Sequence, residues 1–136
     1  MVLKSRVITL TVALAALGVA ITASGRPGNG NINCSQPVIK VGQSFKFGYA
    51  VTESDGTGTA DLRCTVTGPD DVAHRARKMP EWRNGVGGSL TIATFFYPSE
   101  FSGGSTAKPG LYNVDCVSYV EGQGDCARAT ATLTVE

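Results

Sequence analysis

Ser44-Phe45-Lys46-Phe47-Gly48-Tyr49-Ala50-Val51 sets Phe45, Phe47, Tyr49 and Val51 against Ser44, Lys46, Gly48 and Ala50 at every second position. Successive side chains of an extended chain point to opposite faces, so this stretch is a strand with one face in a core and the other toward water. Leu62, Cys64 and Val66 repeat the pattern against Arg63, Thr65 and Thr67. Leu90, Ile92 and Phe96 mark another strand with these three inward, which leaves Phe95 and Tyr97 on its outer face and Phe101 close behind. Tyr112, Val114, Cys116 and Ser118 mark the next. In residues 127–135, Ala127, Ala129, Ala131, Leu133 and Val135 alternate with Arg128, Thr130, Thr132 and Thr134. Residues 37–41 and 72–79 supply two weaker edge strands. Gly-, Asp-, Asn- and Pro-rich turn clusters separate these runs, and residues 34–136 show no convincing apolar period of a helix. The expected fold is all-β, an antiparallel seven-stranded sandwich.

Before that domain, Lys4 and Arg6 are followed by an apolar run over residues 7–21 and by Ile21-Thr22-Ala23, the three-part pattern of a secretory leader. A membrane-spanning helix wants about 20 apolar residues, and this run is shorter and interrupted by Thr9 and Thr11. Cleavage is expected between Ala23 and Gly25. The expected organisation is signal peptide at 1–23, flexible Gly- and Asn-rich linker at 24–33, and sandwich at 34–136. The product would be secreted, periplasmic or on the cell surface, with no membrane insertion after cleavage. Loss of Lys4 and Arg6 takes the formal charge from +1 to −1, which gives no global attraction to nucleic acid.

Cys34, Cys64, Cys116 and Cys126 all follow the leader, and an even number in a small exported domain reads as two disulfides. Zinc is the alternative, but no Cys-x-x-Cys pair is present.

Lys108-Pro109-Gly110-Leu111-Tyr112-Asn113-Val114-Asp115-Cys116 is similar to the Pro-Gly-x-Tyr-x-Val stretch that leads into the penultimate strand of many bacterial surface modules. On those residues the chain resembles the immunoglobulin-like group of extracellular domains. It departs from the antibody type: Cys116 lies further beyond Tyr112, and the strand of Cys64 has no Trp. In such a sandwich Cys64 and Cys116 point inward from neighbouring central strands, level with each other. Cys34 precedes the first strand and Cys126 opens the last, at the same end. The expected pairing is therefore Cys64 with Cys116 and Cys34 with Cys126. A local Cys116–Cys126 bond is disfavoured, because a hairpin turning at residues 122–125 sets Cys116 opposite a residue near Ala131.

His74-Arg75-Ala76-Arg77-Lys78 is the densest positive cluster, able to meet a sulfated glycan, a phosphate or an acidic protein patch. Charges on an edge strand equally prevent sheet-to-sheet aggregation. As a strand it splits, with Arg75 and Arg77 on one face and His74, Ala76 and Lys78 on the other. His74 is the single histidine; its cationic neighbours disfavour a general base, and no Gly-x-Ser-x-Gly elbow accompanies it. Trp82, in a Pro- and Gly-flanked connection beside Arg83, is either a binding hot spot or a cap on the open end of the sandwich. Outward Phe95 and Tyr97 would mark an interface unless a loop covers them. Asp55, Asp61, Asp70, Asp71 and Asp125 lie in or near turns without the spacing of an EF-hand. Asn33-Cys34-Ser35 fits the glycosylation triplet, which matters only in a eukaryotic secretory route.

The sequence therefore assigns no catalytic, cofactor-binding or metal residue, and no cofactor. Candidate partner-binding residues are Trp82, Phe95, Tyr97, Arg75 and Arg77, toward an unknown protein or glycan. The expected role is that of an exported non-enzymatic β-sandwich that binds or supports another macromolecule. The alternative is a secreted inhibitor or toxin-like effector.

Overall fold

The computed structural model describes residues 28–105 and 107–136. The expected leader, and residues 24–27 of the expected linker, lie outside them. The described strands are β1 (Gly28–Asn33), β2 (Val38–Ile39), β3 (Phe45–Glu53), β4 (Leu62–Thr67), β5 (Ala73–Lys78), β6 (Arg83–Gly85), β7 (Gly88–Tyr97), β8 (Gly110–Val120) and β9 (Gly124–Val135). They form a four-stranded sheet, β1-β3-β7-β6, and a five-stranded sheet, β2-β9-β8-β4-β5. All strand pairs are antiparallel except β2 with β9.

Two of these strands were not expected. Residues 28–33, read as linker, instead pair along β3 from Gly28↔Glu53 to Asn33↔Gly48. Gly28 and Gly30 hide the strand from an apolar pattern, yet Gly30 is what lets β1 approach the opposite sheet. A Cβ at Gly30 would collide with the Ala127 carbonyl oxygen. β6 is too short to carry a period.

The inner face of β3 is as expected, with Phe45, Phe47, Tyr49 and Val51 buried. In β7 the expected faces are reversed: Phe95 (0% exposed) and Tyr97 (3%) are in the core, while Ile92 stands 60% exposed with Leu90 and Phe96 beside it. Both faces of β7 carry apolar residues, so period two alone does not choose. Packing chooses the aromatic side, because Phe47 stacks on Phe95 (5.6 Å) and Phe45 on Tyr97 (4.9 Å) across the β3–β7 register. Phe101 closes over the same cluster.

Trp82 is buried in the core cluster rather than presented to a partner. Its amide donates to the Gly58 carbonyl (2.9 Å), and the Gly56 backbone lies on the indole, where any Cβ would clash. It caps the sandwich. At the other end the Tyr112 hydroxyl accepts from the Lys108 amide (2.8 Å), the tyrosine corner typical of immunoglobulin-like sandwiches.

Cys64 and Cys116 face each other across β4 and β8 with Cα atoms 4.1 Å apart, and they form a disulfide. The expected Cys34–Cys126 bond is not formed: both are free thiols. Cys34 follows β1, whose Gly28 and Gly30 lie against Ala127, next to Cys126. From there the strand carries Cys34 onward, away from that contact. Cys126 is instead opposite Ser118 on β8, and Cys116 is opposite Ala129, two residues from Ala131, so the disfavoured Cys116–Cys126 bond is not formed.

Candidate functional site

The outer face of the five-stranded sheet is laid out by two cross-strand rows. Arg75, Thr65 and Asp115 stand side by side on β5, β4 and β8, and Arg77, Arg63 and Val117 form the neighbouring row. Period two on β5 puts Arg75 and Arg77 outward and leaves His74, Ala76 and Lys78 half-buried, as the sequence pattern anticipated.

β9 breaks its own alternation here. Ala127 and Arg128 together oppose the single residue Val117, between the pairs Cys116↔Ala129 and Ser118↔Cys126, and Ala127 has φ 52°. This is a β-bulge with a left-handed alanine where glycine is usual. The strain is held from below: the Tyr49 hydroxyl donates to the Ala127 carbonyl (2.6 Å), and Gly30 leaves room for that oxygen. Burial, and then the charge of Asp115, pushes the Tyr49 hydroxyl above its ordinary pKa, so it remains a donor. Above the bulge, Arg128 lies over β8, where Nη1 bonds Asp115 Oδ2 (2.5 Å) and Nη2 reaches Asp125 (3.5 Å).

Asp61 accepts from both Arg63 (3.2 and 2.9 Å) and Arg77 (2.8 and 2.9 Å). Burial alone would raise its pKa, but the hydrogen bonds from Arg77 and Arg63 outweigh it and hold the carboxyl below its usual range. Arg63 also lies 4.0 Å over the Tyr119 ring. Two groups remain unmatched. The Arg75 guanidinium makes no ion pair among the described residues, and Asp115 Oδ1 is buried with no hydrogen-bond partner. The residues Arg75 and Asp115 line a concavity of about 560 Å³ together with Arg63, Arg77, Val117 and Arg128.

The other sequence candidates do structural work. His74 Nδ1 lies 3.0 Å from the Ser102 carbonyl. Lys78 bonds the Thr94 carbonyl (2.6 Å) and Glu100 (3.0 Å), while Glu100 accepts from the Phe96 amide (2.8 Å), which closes the edge of β7 beyond β6. Asp70 caps the Val72 amide (3.1 Å). Cys34 is half-buried, and burial raises its pKa, which disfavours the reactive thiolate. No group of three or more His, Cys, Asp or Glu side chains placed to hold a metal occurs among the described residues. Sequence reasoning missed the role of Asp115, Asp125 and Arg128, whose meeting depends on the bulge. The sole local signal was the Arg and Asp content of the solvent face of the last strands.

No protein-family model matches the chain, and comparison with the curated proteins gives no match. Solved structures do share its fold. A CARDB domain from Pyrococcus furiosus, determined by NMR in solution, superposes with TM-score 0.51 at 13% identity over 83% of this chain and 97% of that domain. A β-glucosidase from Listeria innocua gives TM-score 0.52 at 11% identity over 81% of this chain, but over only 16% of the enzyme. A β-glucosidase from Erythrobacter marinus gives TM-score 0.51 at 12% identity over 82% and 16% respectively. At such identities the likeness is one of fold, an immunoglobulin-like β-sandwich.

Proposed function

We propose that this chain is an exported, non-catalytic β-sandwich whose outer five-stranded face binds another macromolecule. One observation carries the reading: Arg75, whose guanidinium makes no ion pair among the described residues, lines one concavity with Arg63, Arg77, Asp115 and Arg128 beside a strained bulge. A guanidinium without a carboxylate partner at the edge of a concavity offers its paired N–H donors to an acidic group from outside. The leader pattern and the Cys64–Cys116 disulfide support export into an oxidising compartment. Among the described residues no helix is long and apolar enough to cross a membrane.

The test is affinity capture from envelope and culture-fluid extracts with the secreted protein, comparing wild type, Arg75→Ala and Lys46→Ala. Lys46 lies on the outer face of the other sheet. Capture lost with Arg75→Ala and kept with Lys46→Ala is expected. Equal capture by all three, with each variant folded, would overturn the assignment of the face.

A further inference from the structure

We propose that the outer face of the four-stranded sheet is a contact surface for a second copy of this chain, each copy seating its β7 ridge in a shallow trough over β3 of the other. This surface is separate from the arginine-lined face of the other sheet and does not depend on it.

Register sets the relief of this face. Along β7, Leu90, Ile92, Thr94 and Phe96 point outward, and the three apolar ones are 42, 60 and 43% exposed. Row by row beside them on β3 stand Thr52, Ala50, Gly48 and Lys46. On the far side of β3 the outward residues of β1 are Asn29, Asn31 and Asn33. A ridge of large apolar side chains thus borders a trough floored by Ala50 and Gly48, with a wall of side-chain amides opposite.

The domain itself gives no reason for glycine at position 48. Gly48 does not have a positive φ, and a Cβ there would meet only the Ala93 carbonyl oxygen at 4.0 Å. Gly30 and Gly56, by contrast, make room for their own chain. Glycine inside a strand weakens it, and where no bulge or bend explains it, it marks a place that another chain or ligand approaches closely. At Gly48 that approach can come only from outside the domain.

The relief matches itself. A two-fold axis parallel to the strands and between β3 and β7 lays β7 of each copy over β3 of the other, a closed isologous contact. At its centre Ile92 lies on Ala50 of the second copy and Thr94 on Gly48 of the second copy, large on small in both directions. At one end each Lys46 comes against Phe96 of the second copy rather than against the second Lys46. Arg83, beside Leu90, is at the other end, about 20 Å along the strands, so both cations stay at the wet rim. No outward strand residue of this face is acidic among the described residues, so contact desolvates no carboxylate. With β3 nine residues long, the face is about 30 Å by 15 Å, or about 450 Å² in plan. Even with its side-chain relief this is at the low end of the about 800 Å² per partner of stable complexes, which implies a reversible dimer.

Other occupants fit less well. A lipid surface is fluid and has no use for a trough, and its anionic headgroups would find only Lys46 and Arg83, at opposite ends of the face. An unrelated protein would need a ridge of the same spacing, which a second copy already carries.

Sedimentation velocity of the secreted protein from about 1 to 500 µM, a span that brackets weak association, tests this. A monomer–dimer equilibrium within that range is expected. Ile92→Lys should raise its dissociation constant by about tenfold or more, since two such side chains are lost per dimer, while in dilute solution it melts like wild type. Gly48→Leu is the sharper variant. It adds apolar surface yet fills the trough, so a self-matched contact is weakened, whereas unspecific apolar association is strengthened. Wild type that stays monomeric throughout, a dimer undisturbed by Ile92→Lys, or a Gly48→Leu variant that associates as tightly as wild type or more so would each overturn the proposal. Monomeric wild type that co-sediments with phosphatidylglycerol vesicles, and loses this with Ile92→Lys, would overturn it in favour of a lipid surface.

Discussion

On the outside of the five-stranded sheet, arginines and aspartates hold one another by ion pairs around a bulge; on the outside of the four-stranded sheet, Leu90, Ile92 and Phe96 stand exposed beside the small residues Gly48 and Ala50. The two surfaces cover the same aromatic core, so burial does not account for the difference. Ion pairs and a strained bulge keep polar groups in one arrangement, which is what recognition of a polar ligand requires. The apolar face offers area without such directional constraint.

The contrast is broken most completely by attacking the layer the faces share. Phe47→Asp places an unpaired carboxylate in the core at a cost of several kcal/mol, a large part of a domain's stability, and should unfold it. Lys46→Asp, one residue away on the outer face, should melt within a few degrees of wild type. Thermal melts of the two variants check this, and equal stability would refute the strand faces.

Removing the Cys64–Cys116 disulfide comes next. It ties neighbouring strands of one sheet and closes a chain separation of 52 residues, and Cys64→Ala with Cys116→Ala should cost about 4 kcal/mol on the chain-entropy account. Denaturant unfolding measures it, and non-reducing peptide mapping should find Cys34 and Cys126 unlinked.

Ala127→Gly probes the bulge and has the opposite sign. Glycine tolerates positive φ, so relief of strain should stabilise the domain by about 1 kcal/mol, less the larger chain entropy of glycine when unfolded. A clear destabilisation in denaturant titration would mean that the left-handed conformation at Ala127 is not strained.

The smallest expected effect separates the faces by pH. A carboxyl whose folded pKa is lowered contributes stability above its unfolded pKa, about 3.9 for Asp, and that contribution fades as pH falls through the folded value. Asp61→Asn should therefore flatten the loss of stability below about pH 4. Ile92→Lys, on the apolar face, should leave the acid profile unchanged and the stability within about 0.5 kcal/mol. Melts across pH 2–7 compare them.

The sequence by itself determined the β character, the inner faces of β3, β4, β8 and most of β9, the split of Arg75 from His74, and the partnership of Cys64 with Cys116. The faces follow from period-two alternation along each strand, and the cysteine partnership from the resemblance to an immunoglobulin-like sandwich. The tertiary structure decided the rest. β7 is apolar on both sides, and only stacking on Phe45 and Phe47 selects Phe95 and Tyr97 for the core. Trp82 had two consistent readings until Gly56 and Gly58 gave it a seat. β1 has a single apolar side chain, Ile32, to announce it, and Gly28 and Gly30 serve by what they leave out. The candidate site was half legible. Arg75 and Arg77 declared themselves as an edge-strand cluster, but Asp115, Asp125 and Arg128 meet only because β9 carries one extra residue, and a bulge formed on a non-glycine residue leaves no mark in local sequence.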